Sequence, residues 1–113
     1  MKKKVFVKPW GGEKQYTLNE VSTVKILTVK PKQKISLQYH HKRKEFWIVL
    51  DNPVKITIGN KVFKAKKGDE LTIPKKTKHR IEACNKTVNI LEISMGKFDK
   101  KDIVRLEDKY NRK

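Results

Sequence analysis

A single cysteine, Cys84, leaves no partner for an intrachain disulfide and fits a reducing compartment. No apolar run approaches the ~20 residues that a membrane-crossing helix needs. The basic opening "MKKKVFVKPW" lacks the apolar core of a secretory leader. A cytoplasmic protein without a membrane segment is the expectation. Acidic side chains are also scarce, 12 against 29 lysines and arginines, which leaves a net charge of +17. Such an excess favours anionic partners. Arginine, however, occurs only at Arg43, Arg80, Arg105 and Arg112, and the other 25 cationic residues are lysines. A nucleic-acid surface more often interleaves arginines with aromatics along one face. Scattered lysines are the usual dress of a solvated surface, so charge alone does not make this a nucleic-acid binder.

What is present is apolar alternation at period two, almost from end to end of 113 residues. Val5 and Val7 open the pattern, Val24 and Ile26 continue it, and Ile35, Leu37 and Tyr39 follow in phase. Trp47 and Val49 lie opposite Phe46 and Ile48, and "GNK" reads as a hairpin turn between Ile58 and Val62. Leu71 and Ile73, then Ile81 and Ala83, then "TVNILEISM" complete the series. Many short strands broken by Gly, Pro, Asn and Lys turns predict an all-β sandwich or barrel. One domain spanning residues 1–113 is expected, with neither repeat nor linker. Helical periodicity occurs only in "KKDIVRLEDKY", which reads as a short helix or an extended tail. Residues 2–4 and 111–113 read as solvated ends.

The chemistry concentrates in "SLQYHHKRKEFWIV". On a strand, Gln38 and His40 project to one face and His41 to the other. An antiparallel return across the "HKRK" turn brings Glu45 back beside His40, with Trp47 on the same face. The third histidine, His79, opens another strand in phase with Ile81 and Ala83. Two imidazoles, a carboxylate and an amide suit one divalent cation: Zn²⁺ first, with Mn²⁺, Fe²⁺, Co²⁺ and Ni²⁺ not separated by spacing. Spacing alone leaves a second reading equally open, in which the histidines are surface residues of a basic turn.

Four segments in order tip that balance. "SLQYHHKRKEFW" and "IPKKTKHRIE" resemble the two motifs of the cupin superfamily. More narrowly they resemble the cupin domain of type II mannose-6-phosphate isomerases, usually the C-terminal part of a fusion with mannose-1-phosphate guanylyltransferase. "KPWGGEKQY" is similar to that family's Arg-Pro-Trp-Gly opening, and "LEISMGKFDKKDIVRLEDKYNR" to its close. The resemblance implies a double-stranded β-helix, the cupin jelly roll, with metal ligands at Gln38, His40, Glu45 and His79. It further implies an aldose–ketose isomerase acting on mannose 6-phosphate and fructose 6-phosphate, the alternative being a non-catalytic sugar-phosphate-binding cupin. The sequence departs from the pattern at Lys42 and Phe46, where relatives have histidine, and at Lys76, where a turn glycine is common.

A small-molecule sugar phosphate is therefore the expected partner, and the four arginines, with their two-point fork, are candidate phosphate ligands. For each, an ion pair with Glu82, Glu92, Glu107 or Asp108 is the competing role. Trp47 is expected to line the cavity and Trp10 to cover its mouth. Glu92 is the candidate proton carrier. A homodimer is expected through the apolar face formed by Ile35, Leu37 and Tyr39.

Overall fold

The computed structural model describes residues 3–112. Eleven strands and no helix make up these residues: β1 (Lys4–Lys8), β2 (Gly11–Gln15), β3 (Ser22–Val29), β4 (Leu37–Tyr39), β5 (Lys44–Val49), β6 (Val54–Ile58), β7 (Lys61–Ala65), β8 (Glu70–Ile73), β9 (His79–Ala83), β10 (Val88–Met95) and β11 (Val104–Glu107). Two antiparallel sheets face each other, one ordered β3-β10-β5-β8 and the other β11-β4-β9-β6-β7. β1 and β2 form a separate hairpin. This is the all-β sandwich expected from the alternation and the jelly roll implied by the resemblance. No helix of the structure is long and apolar enough to cross a membrane.

The period-two code has a gradient along it. Reading the inward positions of β10 gives Val88, Ile90, Glu92 and Ser94; β5 read backwards gives Val49, Trp47 and Glu45; β9 read backwards gives Ala83, Ile81 and His79. Each strand changes from apolar to polar toward the same end, β10 at Glu92 opposite Trp47 and β5 one inward pair later at Glu45 opposite Ser94. One end of the roll is consequently a plug of Val29, Val49, Val54, Val88, Ile90 and their neighbours. The other end is a polar cup. Burial of the plug supplies the hydrophobic stabilisation, which allows charged groups to be held in the cup at the other end.

The tail is extended rather than helical, because Val104–Glu107 pairs antiparallel with β4. The expected face of Ile35, Leu37 and Tyr39 does not form. Lys34 bridges Glu82 while Gln38 pairs with His79, and these two registers differ by one residue. A bulge absorbs the difference and reverses the alternation between them. Ile35 thus packs on the main core, and Leu37 and Tyr39 are half-buried on the outer face. The outer face there holds Leu37, Tyr39 and Val104, all half-buried, without Ile35. At the termini, Lys4 belongs to β1 and Asn111 takes a φ of 57°. Lys2 and Lys113, expected as solvated ends, lie outside the described residues.

Candidate metal centre

Three strand ends converge in the cup. His40 follows β4, Glu45 lies in β5 and His79 opens β9; all three are buried. Each offers a donor atom within 4.8 Å of the others. His79 Nε2 lies 3.2 Å and His40 Nε2 3.7 Å from Glu45 Oε1. The two imidazole rings stand 5.0 Å apart.

The opposite edge of each ring fixes its tautomer. His40 Nδ1 is 2.6 Å from the Asp102 carbonyl, and His79 Nδ1 is 2.9 Å from the Thr77 carbonyl. A carbonyl only accepts, so both Nδ1–H groups donate and both Nε2 atoms turn a lone pair into the cup. Glu45 Oε1 and His79 Nε2 are buried without a hydrogen-bond partner. Two buried acceptors facing each other at 3.2 Å repel unless a metal ion or a proton lies between them. The donor set, two neutral imidazoles and a carboxylate, fits a divalent ion.

The surrounding groups hold this geometry. Asp102 also accepts from the His41 and Lys42 backbone N–H groups with its carboxylate, tying the "HKRK" turn to the tail. Lys76 donates its N–H to the His40 carbonyl at 2.7 Å from a backbone with φ 62°. That left-handed conformation is the one a glycine would take most easily. Burial lowers the His40 imidazole below its usual range. Burial acts to raise the Glu45 carboxyl, but its cationic surroundings, Arg43 among them, hold it lower.

Gln38 sits opposite His79 in the ladder, and Arg105 opposite Gln38. Directly opposed residues share a face, so Arg105, Gln38 and His79 form one inward row. Ser36 Oγ donates to Gln38 Oε1 at 3.1 Å. Arg43, buried at the turn, donates through Nη2 to His40 Nε2 at 3.1 Å and brings Nε to 3.5 Å from Glu45 Oε2. Arg43 Nε, Arg43 Nη1 and Arg105 Nε are buried donors without an acceptor.

Arg80 and Arg112 are engaged elsewhere. Arg80 donates to the Ile35 and Glu107 carbonyls, and Arg112 forms a two-point pair with Asp108. They take the ion-pair and backbone-tying roles instead of facing the cup. Trp47 is fully buried and meets the His79 ring edge-on at 5.4 Å. Trp10 does not cover the mouth: it is 72% exposed at the tip of the β1–β2 hairpin.

Glu92 shares the wall of the cup. Trp47 Nε1 donates to its Oε2 at 3.1 Å, and the Ser94 hydroxyl lies 3.5 Å from its Oε1 and 3.3 Å from Glu45 Oε2. Burial, reinforced by the Glu45 charge, pushes the Glu92 carboxyl up to about 7. Besides Asp102, Lys25 and Phe98 escaped the sequence reading. Lys25 pairs with Glu92 across β3 and β10 and so faces inward. Its Nζ lies 3.9 Å from the centre of the Phe98 ring, and the Arg43 guanidinium 4.5 Å from the same ring. Phe98 thus stands at the cup between two cations. The phase of Lys25 with Leu27 and Val29 carried the signal; Phe98 sits outside any strand and carried none.

A sequence profile described as mannose-6-phosphate isomerase C-terminal matches residues 1–108. The xanthan biosynthesis protein XanB of Xanthomonas campestris is 35% identical over 107 residues, 93% of this chain and 23% of that protein. The alginate biosynthesis protein AlgA of Pseudomonas aeruginosa is 36% identical over 107 residues, 93% of this chain and 22% of that protein. The chain therefore spans less than a quarter of the length of these relatives. Among solved structures, oxalate decarboxylase from Bacillus subtilis superposes with a TM-score of 0.71 at 20% identity, over 77% of this chain and 24% of that one. A cupin-2 domain from Rhodospirillum rubrum gives 0.66 at 19% identity, over 76% and 59%. These likenesses establish the cupin fold.

Proposed function

This chain belongs to the family of mannose-6-phosphate isomerase C-terminal domains, and from that premise we propose that it is a metal-dependent isomerase of mannose 6-phosphate and fructose 6-phosphate. The observation that carries the reading is the pair of unpartnered acceptors, Glu45 Oε1 and His79 Nε2, aimed at one point from two strands. His40, Glu45 and His79 would hold the ion, with Gln38 completing the set from the inward row. A bound divalent ion would polarise the carbonyl and hydroxyl oxygens at the sugar's C1 and C2.

The chain's own residues divide the remaining tasks. Arg43 and Arg105 supply buried N–H donors that lack acceptors, the partners a phosphate group would take. Lys25 adds charge on the same wall. Isomerisation moves one proton between C2 and C1, and a second between the oxygens, with no net gain or loss. Glu92, held on the cup wall by Trp47 and Ser94, is the carboxylate placed to accept the carbon-bound proton and return it.

A coupled assay for fructose 6-phosphate formed from mannose 6-phosphate tests the proposal, run with Zn²⁺, Mn²⁺, Fe²⁺, Co²⁺ and Ni²⁺ in turn. Turnover with at least one metal is expected, falling about 10²-fold or more in Glu92→Gln. Tight binding of mannose 6-phosphate without turnover under every metal would instead assign the chain to the non-catalytic sugar-phosphate-binding cupins.

A further inference from the structure

The segment between β10 and β11 forms no strand, yet it is pinned at both ends. Gly96, at a φ of 96°, donates its N–H to the Val21 carbonyl at 2.9 Å. At the other end Asp102 accepts from the His40 ring with its carbonyl, and from the His41 and Lys42 backbone N–H groups with its carboxylate. Asp99 ties the span together, accepting the Lys101 and Asp102 N–H groups at 2.9 and 3.0 Å. Phe98 lies inside this span, and its ring meets the Arg43 guanidinium at 4.5 Å. Consecutive residues of the turn after β4 are thus all held by one short segment. Asp102 takes His40, His41 and Lys42, and Phe98 takes Arg43.

The same ring meets a second cation. Lys25 Nζ lies 3.9 Å from its centre, closer than the guanidinium. Lys25 stands opposite Glu92 in the β3–β10 ladder, where opposite charges commonly pair. That pair does not close, and Lys25 makes no ion pair with any carboxylate among the described residues. Arg43, buried, keeps Nε and Nη1 without acceptors. Two like charges gathered at one ring repel, and each gives up hydration there. The negative face of the ring offsets part of that cost. A doubly charged anion supplies what is missing. A phosphomonoester carries close to two negative charges and three strong acceptor oxygens at neutral pH, which suits one guanidinium and one ammonium.

We propose that Phe98 is a positioning residue for phosphate: its ring gathers the Lys25 ammonium and the Arg43 guanidinium into one clamp for the phosphomonoester of the substrate. The proposal rests on the sugar-phosphate reading of the cup and adds the residue that presets its cations. A side chain that only fills space there can be any apolar residue of similar size. One that gathers cations must be aromatic.

Calorimetric titration with mannitol 1-phosphate tests this, because that probe carries the phosphomonoester and has no carbonyl to isomerise. Inorganic phosphate is the second probe. Phe98→Leu keeps an apolar side chain but removes the aromatic face, and it should weaken both probes about tenfold. Phe98→Tyr keeps the face and should bind both as the parent does. Lys25→Met should lose a similar factor, and adding Phe98→Leu to it should cost less than Phe98→Leu costs alone. Metal content should stay the same throughout. Parent-like affinity for both probes in folded Phe98→Leu overturns the proposal, as does an equal loss in Phe98→Tyr or a parent that binds neither probe. A loss confined to mannitol 1-phosphate also overturns it, since the ring would then serve the sugar. Turnover separates the clamp from the reading it rests on. An active isomerase whose phosphate binding ignores Phe98→Leu removes the clamp alone. A Phe98-dependent phosphate site without turnover under any metal upholds the clamp and removes the isomerase.

Discussion

At the scale of single residues, the cup is an exercise in which nitrogen faces where. Backbone carbonyls of Asp102 and Thr77 take the Nδ1 protons of His40 and His79, and that alone turns both Nε2 lone pairs inward. Strand phase and one turn bring Gln38, His40 and Glu45 to one face in the sequence, the family resemblance adds His79, and the structure brings His40, Glu45 and His79 within 4.8 Å of one another. Asp102 was not legible as a support, since its contact with His40 joins residues 62 apart through a tail that reads as helical or extended alike. The arginines separate in the same way. Phase put Arg80 on the outer face, yet only the structure shows that Arg112 closes on Asp108 and that Arg105 enters the inward row. Arg105→Lys should therefore weaken mannose 6-phosphate binding about tenfold by calorimetry, because a lysine cannot reproduce the planar fork. Arg112→Lys should leave it unchanged. Equal losses in the two variants would remove Arg105 from the site.

Among the elements, most strands follow from alternation, and the failures have identifiable causes. The bulge between Lys34 and Gln38 moves Ile35 to the core, and no local residue type announces it. β11 has helix-compatible composition, and the pairing with β4 overrides that propensity. The turn between β5 and β6 shows a tertiary clamp of the same kind. Asp51 accepts from the Asn52 and Asn89 backbone N–H groups and from Asn89 Nδ2, joining that turn to the start of β10. The Asn89 hydrogen bonds hold its carboxyl below the usual range. A depressed folded value means that the unfolded chain binds the proton more readily. The contribution is thus complete above the unfolded value of about 3.9 and is lost as pH falls through the lower folded value. Asp51→Ala should cost about 1–2 kcal/mol at pH 7 by urea denaturation, with the difference from the parent shrinking below pH 4. A pH-independent difference would show that the clamp acts through packing instead of charge.

For the whole molecule, the organising feature is the division of one barrel into an apolar plug and a polar cup. The plug is a continuous cluster containing Val29, Val49, Val54, Val88 and Ile90, and it stabilises the roll regardless of what the cup holds. Loss of ligands in the cup should then change metal content without unfolding the chain, which makes the site accessible to a direct test. The net charge of +17 bears on the choice of partner, while the fold is set by the alternation. The account rests most on the claim that Glu45 and His79 face each other across a metal ion, where a shared proton would be the alternative. Elemental analysis of protein purified without chelator measures this directly. Close to one divalent ion per chain is predicted, reduced to background in the His40→Ala, His79→Ala double variant that retains its circular dichroism spectrum. Metal content unchanged by those substitutions, or absent from the parent protein after dialysis against each candidate ion, would contradict it.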